Sequence, residues 1–237
     1  MTVLDIFIGW DTREPLSFQV FRNSLERLTS QALHIRPLMQ KALRHDGLYT
    51  REQVAKNGQA WDVISGAPMS TEFAITRFLV PYLQGSGWCM FGEADMLCLA
   101  DIAELFALAD DRYAVMCVQH DYVSKVPRKM DGQSQVPYLR KNWSSLMLVN
   151  ASHPAHKRLT VEMVNTLPGR DLHRFCWLSD DEIGALPPEW NYLVGEKMPA
   201  VKPKLLHYTL GTAETTQALW LQEALRLRQR LPAENVA

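Results

Sequence analysis

The stretch WCMFGEADMLCLAD, residues 88–101, decides how the chain is read. Trp88-Cys89-Met90-Phe91 is a short apolar run of the kind that makes a buried strand. Gly92 breaks it, two carboxylates follow at alternate positions, Glu93 and Asp95, and the apolar Met96-Leu97-Cys98-Leu99 closes the segment. Side chains two apart on an extended chain point the same way. Glu93 and Asp95 are therefore expected to project together from the end of a central strand, where open α/β sheets bind ligands. A pair of hard oxygen ligands there suits a divalent cation, Mn²⁺ or Mg²⁺. The competing reading is a solvated acidic loop, and the same spacing recurs at Asp180 and Glu182 in a more polar setting. What distinguishes the first pair is its position at the end of an apolar strand.

Outward from this stretch the chain alternates strands and helices. Residues 3–9 form an apolar strand interrupted by Asp5 and ending in Gly9-Trp10-Asp11. Pro15 suits the first turn of a helix, where its missing N–H would have had no partner. Phe18, Phe21, Leu25 and Leu28 give that helix a buried face. Residues 33–38 make a second strand, and 40–69, polar and carrying Gly47, Gly58, Gly66 and Pro68, read as irregular connection. Ser70 or Thr71 caps a helix with its apolar stripe over 73–83, Pro81 marking its last turn. Beyond the acidic turn, Asp101 caps a helix to about Ala109, and 113–118 and 146–150 are strands around a polar, basic segment. Ser152-His153-Pro154 opens a further helix to about Leu167. This rhythm predicts an α/β fold with a mostly parallel sheet and helices on both faces.

The last third departs from it. Residues 171–191 are rich in aromatic and polar side chains, and 201–208 are short and extended. Residues 215–231 form a C-terminal helix with Leu219, Trp220, Leu221, Leu225, Leu227 and Leu231, and with Arg226, Arg228 and Arg230 in its second half. Cations near a helix C-terminus complement the helix dipole. The alternative is peripheral contact with an anionic membrane surface.

Composition sets the outer limits. A chain of 237 residues with 47% apolar content can bury a full core and is expected to form a single domain, residues 1–237. A net charge of −1 gives no electrostatic reason to expect nucleic acid. The first ten residues lack a basic segment and include Asp5, so they read as a first strand rather than a signal peptide. No apolar run approaches membrane-spanning length. Cys89, Cys98, Cys117 and Cys176 show no metal-type spacing and three lie in apolar runs, as reduced core thiols of a cytoplasmic protein would. A peripheral position at the inner membrane face is the alternative that the C-terminal helix raises.

Several segments, in order, resemble bacterial glycosyltransferases of the GT-A fold, close to family eight, the group containing glycogenin and the lipooligosaccharide galactosyltransferases. They are Ile8-Gly9-Trp10-Asp11, the helix Ser70-Thr71-Glu72-Phe73-Ala74-Ile75-Thr76-Arg77-Phe78, the acidic turn, and the strand Trp143-Ser144-Ser145-Leu146-Met147-Leu148-Val149-Asn150. Leu186-Pro187, Trp190-Asn191 and His207-Tyr208-Thr209-Leu210-Gly211 complete the set. The family's acidic motif is Asp-x-Asp, and a distant His completes its metal shell. The resemblance therefore implies Glu93, Asp95 and His207 as metal ligands. An ion held by mixed oxygen and nitrogen ligands points to Mn²⁺ before Mg²⁺, and would compensate the charge of a departing diphosphate as a Lewis acid.

The same resemblance implies a donor side formed by Gly9, Trp10, Asp11, Arg77, Ser144 and Gly211. Arg77 would reach the donor phosphates, for which a guanidinium fork is suited; a solvated helix charge is the alternative. Asp11 would stand near nucleobase and ribose, or be an ordinary turn aspartate. Asp180 and Asp181 would lie beside the transferred sugar as catalytic carboxylates, with helix capping as the competing account. Lys125, Arg128, Lys129, Arg140 and Lys141 would flank the acceptor, unless they are a solvated loop. Trp143, Trp177 and Trp190 are either sugar platforms or core.

Two departures from the family pattern stand out. The acidic motif begins with Glu, and Gly211 is followed by Thr212-Ala213-Glu214-Thr215 where the family usually supplies Lys-Pro-Trp. Diphosphate neutralisation then falls to Arg77, the metal, Lys202 or Lys204. The resulting expectation is a metal-dependent, retaining hexosyltransferase that takes a nucleotide-sugar donor, with UDP as the nucleotide, and a glycan or lipid-linked glycan acceptor. Two rivals remain. A sugar nucleotidyltransferase would carry a glycine-rich basic loop after the first strand, which Gly9-Trp10-Asp11-Thr12 is not. A non-catalytic nucleotide or sugar binder fits Glu93 and the missing lysine.

Overall fold

A computed structural model of the chain describes residues 3–56, 58–120, 140–209 and 214–230. In chain order its first half contains β1 (Val3–Gly9), α1 (Pro15–Leu28), β2 (Ala32–Leu38), α2 (Gln40–His45), β3 (Gln53–Lys56), β4 (Gln59–Asp62), β5 (Ala67–Pro68), α3 (Val80–Gln84), β6 (Trp88–Gly92) and β7 (Met96–Cys98). Then follow α4 (Ala103–Phe106), β8 (Val115–Cys117), β9 (Leu146–Asn150), α5 (Val161–Thr166), α6 (Gly169–His173), β10 (Ile183–Ala185), β11 (Tyr192–Leu193), β12 (Leu205–His207) and α7 (Glu214–Arg230).

The central sheet has six strands in the order β10-β8-β9-β6-β1-β2. β1 pairs in parallel with β2 and β6, β10 pairs in parallel with β8, and β9 runs antiparallel to both β6 and β8. Only β9 is reversed, so the sheet is mainly parallel, as the strand–helix rhythm predicts. Its middle strands are largely apolar because both faces are covered, which is the pattern of parallel sheets. Cys89, Met90 and Phe91 of β6 and all five residues of β9 are buried. A smaller sheet, β11-β12-β7, adjoins it.

Three expectations are corrected. Residues 40–69 hold α2 and an antiparallel sheet, β3-β4-β5, rather than an irregular connection. Its polarity is that of a largely exposed sheet anchored at one point. There the buried Arg51 guanidinium pairs with Asp62 and donates to the Val164 and Leu167 carbonyls. The helix expected over 73–83 resolves into a 3-10 turn, Thr76–Leu79, followed by α3. Pro81 has no N–H to donate back one turn, so it sits in the first turn of α3 instead of ending a longer helix. The helix expected up to Leu167 breaks at Leu159, and Thr160 then caps α5 by accepting from the Met163 N–H at 3.1 Å.

The main core gathers β1, β6, β8 and β9 with the apolar faces of α1 and the 73–80 segment. A second cluster, Val20, Leu97, Val194, Leu206 and Tyr208, takes Trp220 and Ala224 of α7 against it. On the same side Glu223 is buried and accepts from Asn23 at 2.6 Å and Arg27 at 2.9 Å, both on α1. Of the apolar residues that the membrane alternative rests on, Trp220 packs against this cluster, whereas Leu219, Leu221 and Leu225 stay exposed. Among the described residues no helix is long and apolar enough to cross a membrane. All four cysteines are free, three of them buried and Cys176 exposed.

Candidate functional site

β6 leaves the central sheet at Gly92, where a Cβ would lie 2.9 Å from the Phe21 ring of α1. One more ladder-like bond, Glu93 N–H to the Ser145 carbonyl at 3.0 Å, fixes the chain as it exits. It turns through Glu93-Ala94-Asp95 and starts β7, which pairs antiparallel with β12 so that Met96 faces His207. The Tyr208 N–H donates to the Asp95 carbonyl at 2.9 Å. Strand pairing thus brings an imidazole from near the end of the chain onto the acidic turn. His207 Nε2 lies 3.0 Å from Glu93 Oε2 and 3.5 Å from Asp95 Oδ1.

Charge around the turn is arranged in two layers. Burial disfavours the Glu93 carboxylate, but Arg77, with Nη1 2.6 Å from Oε1, and His207 hold its pKa far below the usual range. Burial likewise works against a charged His207, yet the Asp95 and Glu93 carboxylates raise it to about 9. Glu14 is pushed up by burial and by the neighbouring Asp95 and Asp11 carboxylates. His173, bonded to the Ser144 hydroxyl at 2.7 Å, is driven down to about 3 by burial and by Arg77. His120, three residues past the end of β8, is driven down to about 4 by burial and by His207.

Glu93, Asp95 and His207 fit a divalent cation. One ligand atom from each lies within 4.8 Å of the others. Adjacent ligands on a six-coordinate ion of this size are about 3 Å apart, and His207 Nε2 stands 3.0 and 3.5 Å from the two carboxylates. Asp95 Oδ1 is buried without a hydrogen-bond partner, and a buried carboxylate oxygen left so is costly. Mixed carboxylate and imidazole donors accommodate Mn²⁺ better than Mg²⁺.

The other expected site residues are placed around this turn and beyond it. Gly9 lets the Phe73 ring sit where a Cβ would be 2.4 Å from it, and Trp10 stacks edge-on against Phe18 at 5.0 Å. Asp11 is buried and fixes its own turn, accepting from Arg13 through both oxygens and from the Glu72 N–H. Burial opposes its charge, but those bonds lower its pKa. Arg77 is buried, and beside Glu93 it donates to the Ser144 carbonyl at 2.9 Å, so it supports the acidic turn from below instead of standing open to a phosphate.

Asp180 and Asp181 are exposed in a 3-10 turn capped by Ser179 and Glu182. That turn leads into the start of β10, level with the start of β8, whereas Glu93 follows the end of β6. Asp180 pairs with Arg140. Lys204 is held by Glu104 at 2.7 Å. Trp177 and Trp190 are core, and Trp143 is half-buried. Gly211, Lys125, Arg128 and Lys129 lie outside the described residues.

Sequence reasoning gave no part to Asn191, Ser145, His173 or His120. Asn191 stood in a motif of the resemblance, but its function depends on which atoms face it across the fold. The local signal was a polar residue set between two aromatics, Trp190 and Tyr192.

This geometry defines an α/β chain of the GT-A glycosyltransferase fold. The chain aligns over 97% of its length with the bifunctional glycosyltransferase WbbM (TM-score 0.61, 14% identity). It aligns over 97% with GlyE of Streptococcus pneumoniae (TM-score 0.59, 12% identity). Over 98% it aligns with the galactosyltransferase LgtC in complex with donor and acceptor sugar analogs (TM-score 0.58, 13% identity). It spans 52% of WbbM and 63% of GlyE, but 98% of LgtC. No family model matches the sequence. The chain belongs to the family of Protein CDI of Arabidopsis thaliana, with 49% identity over 212 residues covering 87% of this chain and 77% of the plant protein.

Proposed function

We propose that this protein is a Mn²⁺-dependent glycosyltransferase, of the retaining kind found in family eight, that moves a sugar from a UDP-linked donor to a glycan or lipid-linked glycan. The observation that carries this reading is the meeting of Glu93, Asp95 and His207 at the C-terminal end of the central strand, where open α/β sheets take their ligands. Bound there, the ion would supply Lewis-acid compensation for the charge of the leaving diphosphate. The chain's own residues do the rest. Arg77 keeps Glu93 ionised and in place, and β12 holds His207 against the turn. A cavity of about 190 Å³ beside the end of β1, lined by Thr12, Arg13, Gln40, Gln53, Met69 and Glu72 among others, suits the nucleoside half of the donor. Asp180 and Asp181 have no part in this reading.

The test is calorimetry with UDP, CDP and GDP, each with and without Mn²⁺. UDP is expected to bind only with the ion, and Asp95→Ala to abolish that metal-dependent binding while the thermal transition stays in place. Binding of UDP that ignores Mn²⁺, or that survives Asp95→Ala, would overturn the reading. Metal-dependent UDP binding with no sugar released from any UDP-sugar would instead identify a non-catalytic nucleotide-sugar binder.

A further inference from the structure

Asn191 ends the 3-10 turn Pro188–Asn191 and is fully buried. We propose that it is a positioning residue that fixes the tautomer of the His207 imidazole, so that Nε2 is the ring atom held toward Glu93 and Asp95. The inference rests on the metal reading above.

Three hydrogen bonds, each with a fixed direction, lead to His207. The Asn142 carbonyl can only accept. Ser145 Oγ lies 2.6 Å from it and gives it its single proton. The Ser145 oxygen then has only lone pairs to offer Asn191, so the amide nitrogen Nδ2 must face it, at 2.9 Å. That turns the amide oxygen Oδ1 toward His207 Nδ1, at 3.0 Å. An acceptor there requires a proton on Nδ1, and the neutral ring then carries its lone pair on Nε2. The opposite tautomer would point an N–H at the ion and leave two acceptors facing each other in the interior.

Burial makes this relay binding. His207, Asn191 and Ser145 are 1%, 0% and 3% exposed, so bulk water cannot substitute for a missing partner. Ser145 serves both ligand segments, since its carbonyl accepts from the Glu93 N–H while its hydroxyl orients Asn191. One residue just before β9 therefore keeps the first carboxylate and the imidazole in register. Partners of this kind fix ring orientation and raise ligand basicity, and losing one costs roughly 10–100-fold in metal affinity.

The experiment measures Mn²⁺ affinity by calorimetry, with the thermal transition of each protein, for wild type, Asn191→Ala, Asn191→Asp and Ser145→Ala. It adds long-range ¹H–¹⁵N correlation spectra of the metal-free wild type and Ser145→Ala, recorded at a pH where the His207 ring is neutral. Asn191→Ala is expected to weaken Mn²⁺ binding by about 10–100-fold. Asn191→Asp, which keeps an acceptor toward Nδ1, is expected to recover most of it, a rescue that a packing role would not give. The wild-type spectrum is expected to show Nδ1 protonated, and Ser145→Ala to lose that single form. Unaltered Mn²⁺ affinity in Asn191→Ala, or equal loss in Asn191→Ala and a folded Asn191→Asp, would overturn the relay. Should either Asn191 variant not fold, Ser145→Ala decides, and an unchanged Nδ1-protonated spectrum overturns the proposal. A wild type that binds no Mn²⁺ would remove the metal reading and the relay together, whereas wild-type binding with unaffected variants removes the relay alone.

Discussion

Arg77 shows what a single residue reveals and conceals. A guanidinium in the 70–78 segment was visible in the sequence, but it looks the same whether it faces a phosphate or a carboxylate. The fold settles which: Arg77 lies over the Phe73 and Phe91 rings, 5.5 and 5.1 Å from their centroids, and meets Glu93 and two backbone carbonyls. Removing one member of a buried ion pair leaves the other charge uncompensated, at a cost of about 3–5 kcal/mol. Arg77→Ala is therefore expected to lower the urea midpoint accordingly. Arg77→Lys should not restore it, because one ammonium cannot reproduce a planar fork to several acceptors. A Lys variant as stable as wild type would show that only the charge matters. Gly9→Ala tests the neighbouring contact. Its methyl would displace the Phe73 ring, and overpacking of that kind costs about 1–3 kcal/mol by the same denaturation.

Among the elements, α7 is where sequence and structure pull apart. Its leucines and arginines were legible, yet they do not say which face is occupied. Glu223, the acidic residue in the middle of this helix, is the docking contact. It is buried between Asn23 and Arg27 of α1 and Arg226 of its own helix. Burial opposes its charge, but these partners hold its pKa below the ordinary 4.5. The folded pKa is depressed, so the docking contribution is complete above pH ~4.5. As pH falls below that, the undocked form takes up its proton first, and the contribution declines until the folded carboxyl titrates. Hydrogen exchange is expected to show the α7 amides losing protection in acid before the β6 and β9 amides do, and Glu223→Gln should show that loss already at neutral pH. Equal protection of α7 in the Gln variant would detach Glu223 from docking. Elements whose two faces are apolar (β1, β6 and β9) were read within a residue or two, because their pattern is local. The β3-β4-β5 sheet was not, because its one buried anchor, Arg51, finds its partners on α5 and the loop after it.

At the scale of the molecule, two of the three candidate ligands could be read locally and the third could not. Glu93 and Asp95 share a turn, so their spacing already told that they act together. His207 joins them only because β12 pairs with β7, and the resemblance, not the spacing, anticipated that meeting. The arrangement has a mechanical consequence. Glu93 leaves the central sheet, while Asp95 and His207 belong to the smaller one, so an ion bound by all three would staple the two sheets together. Ligand binding to the native state alone adds about 2.7 kcal/mol at one hundred times Kd. For a chain of this size that corresponds to about 5–10 °C in Tm. Saturating Mn²⁺ is expected to produce a rise of that order, with the largest gain in hydrogen-exchange protection on β7, β12 and the Tyr208 amide. His207→Ala should abolish both effects, whereas Asp180→Asn with Asp181→Asn should leave them whole. A rise in Tm that persists in His207→Ala, or protection gained evenly over the chain, would mean that the ion binds somewhere other than the junction of the two sheets.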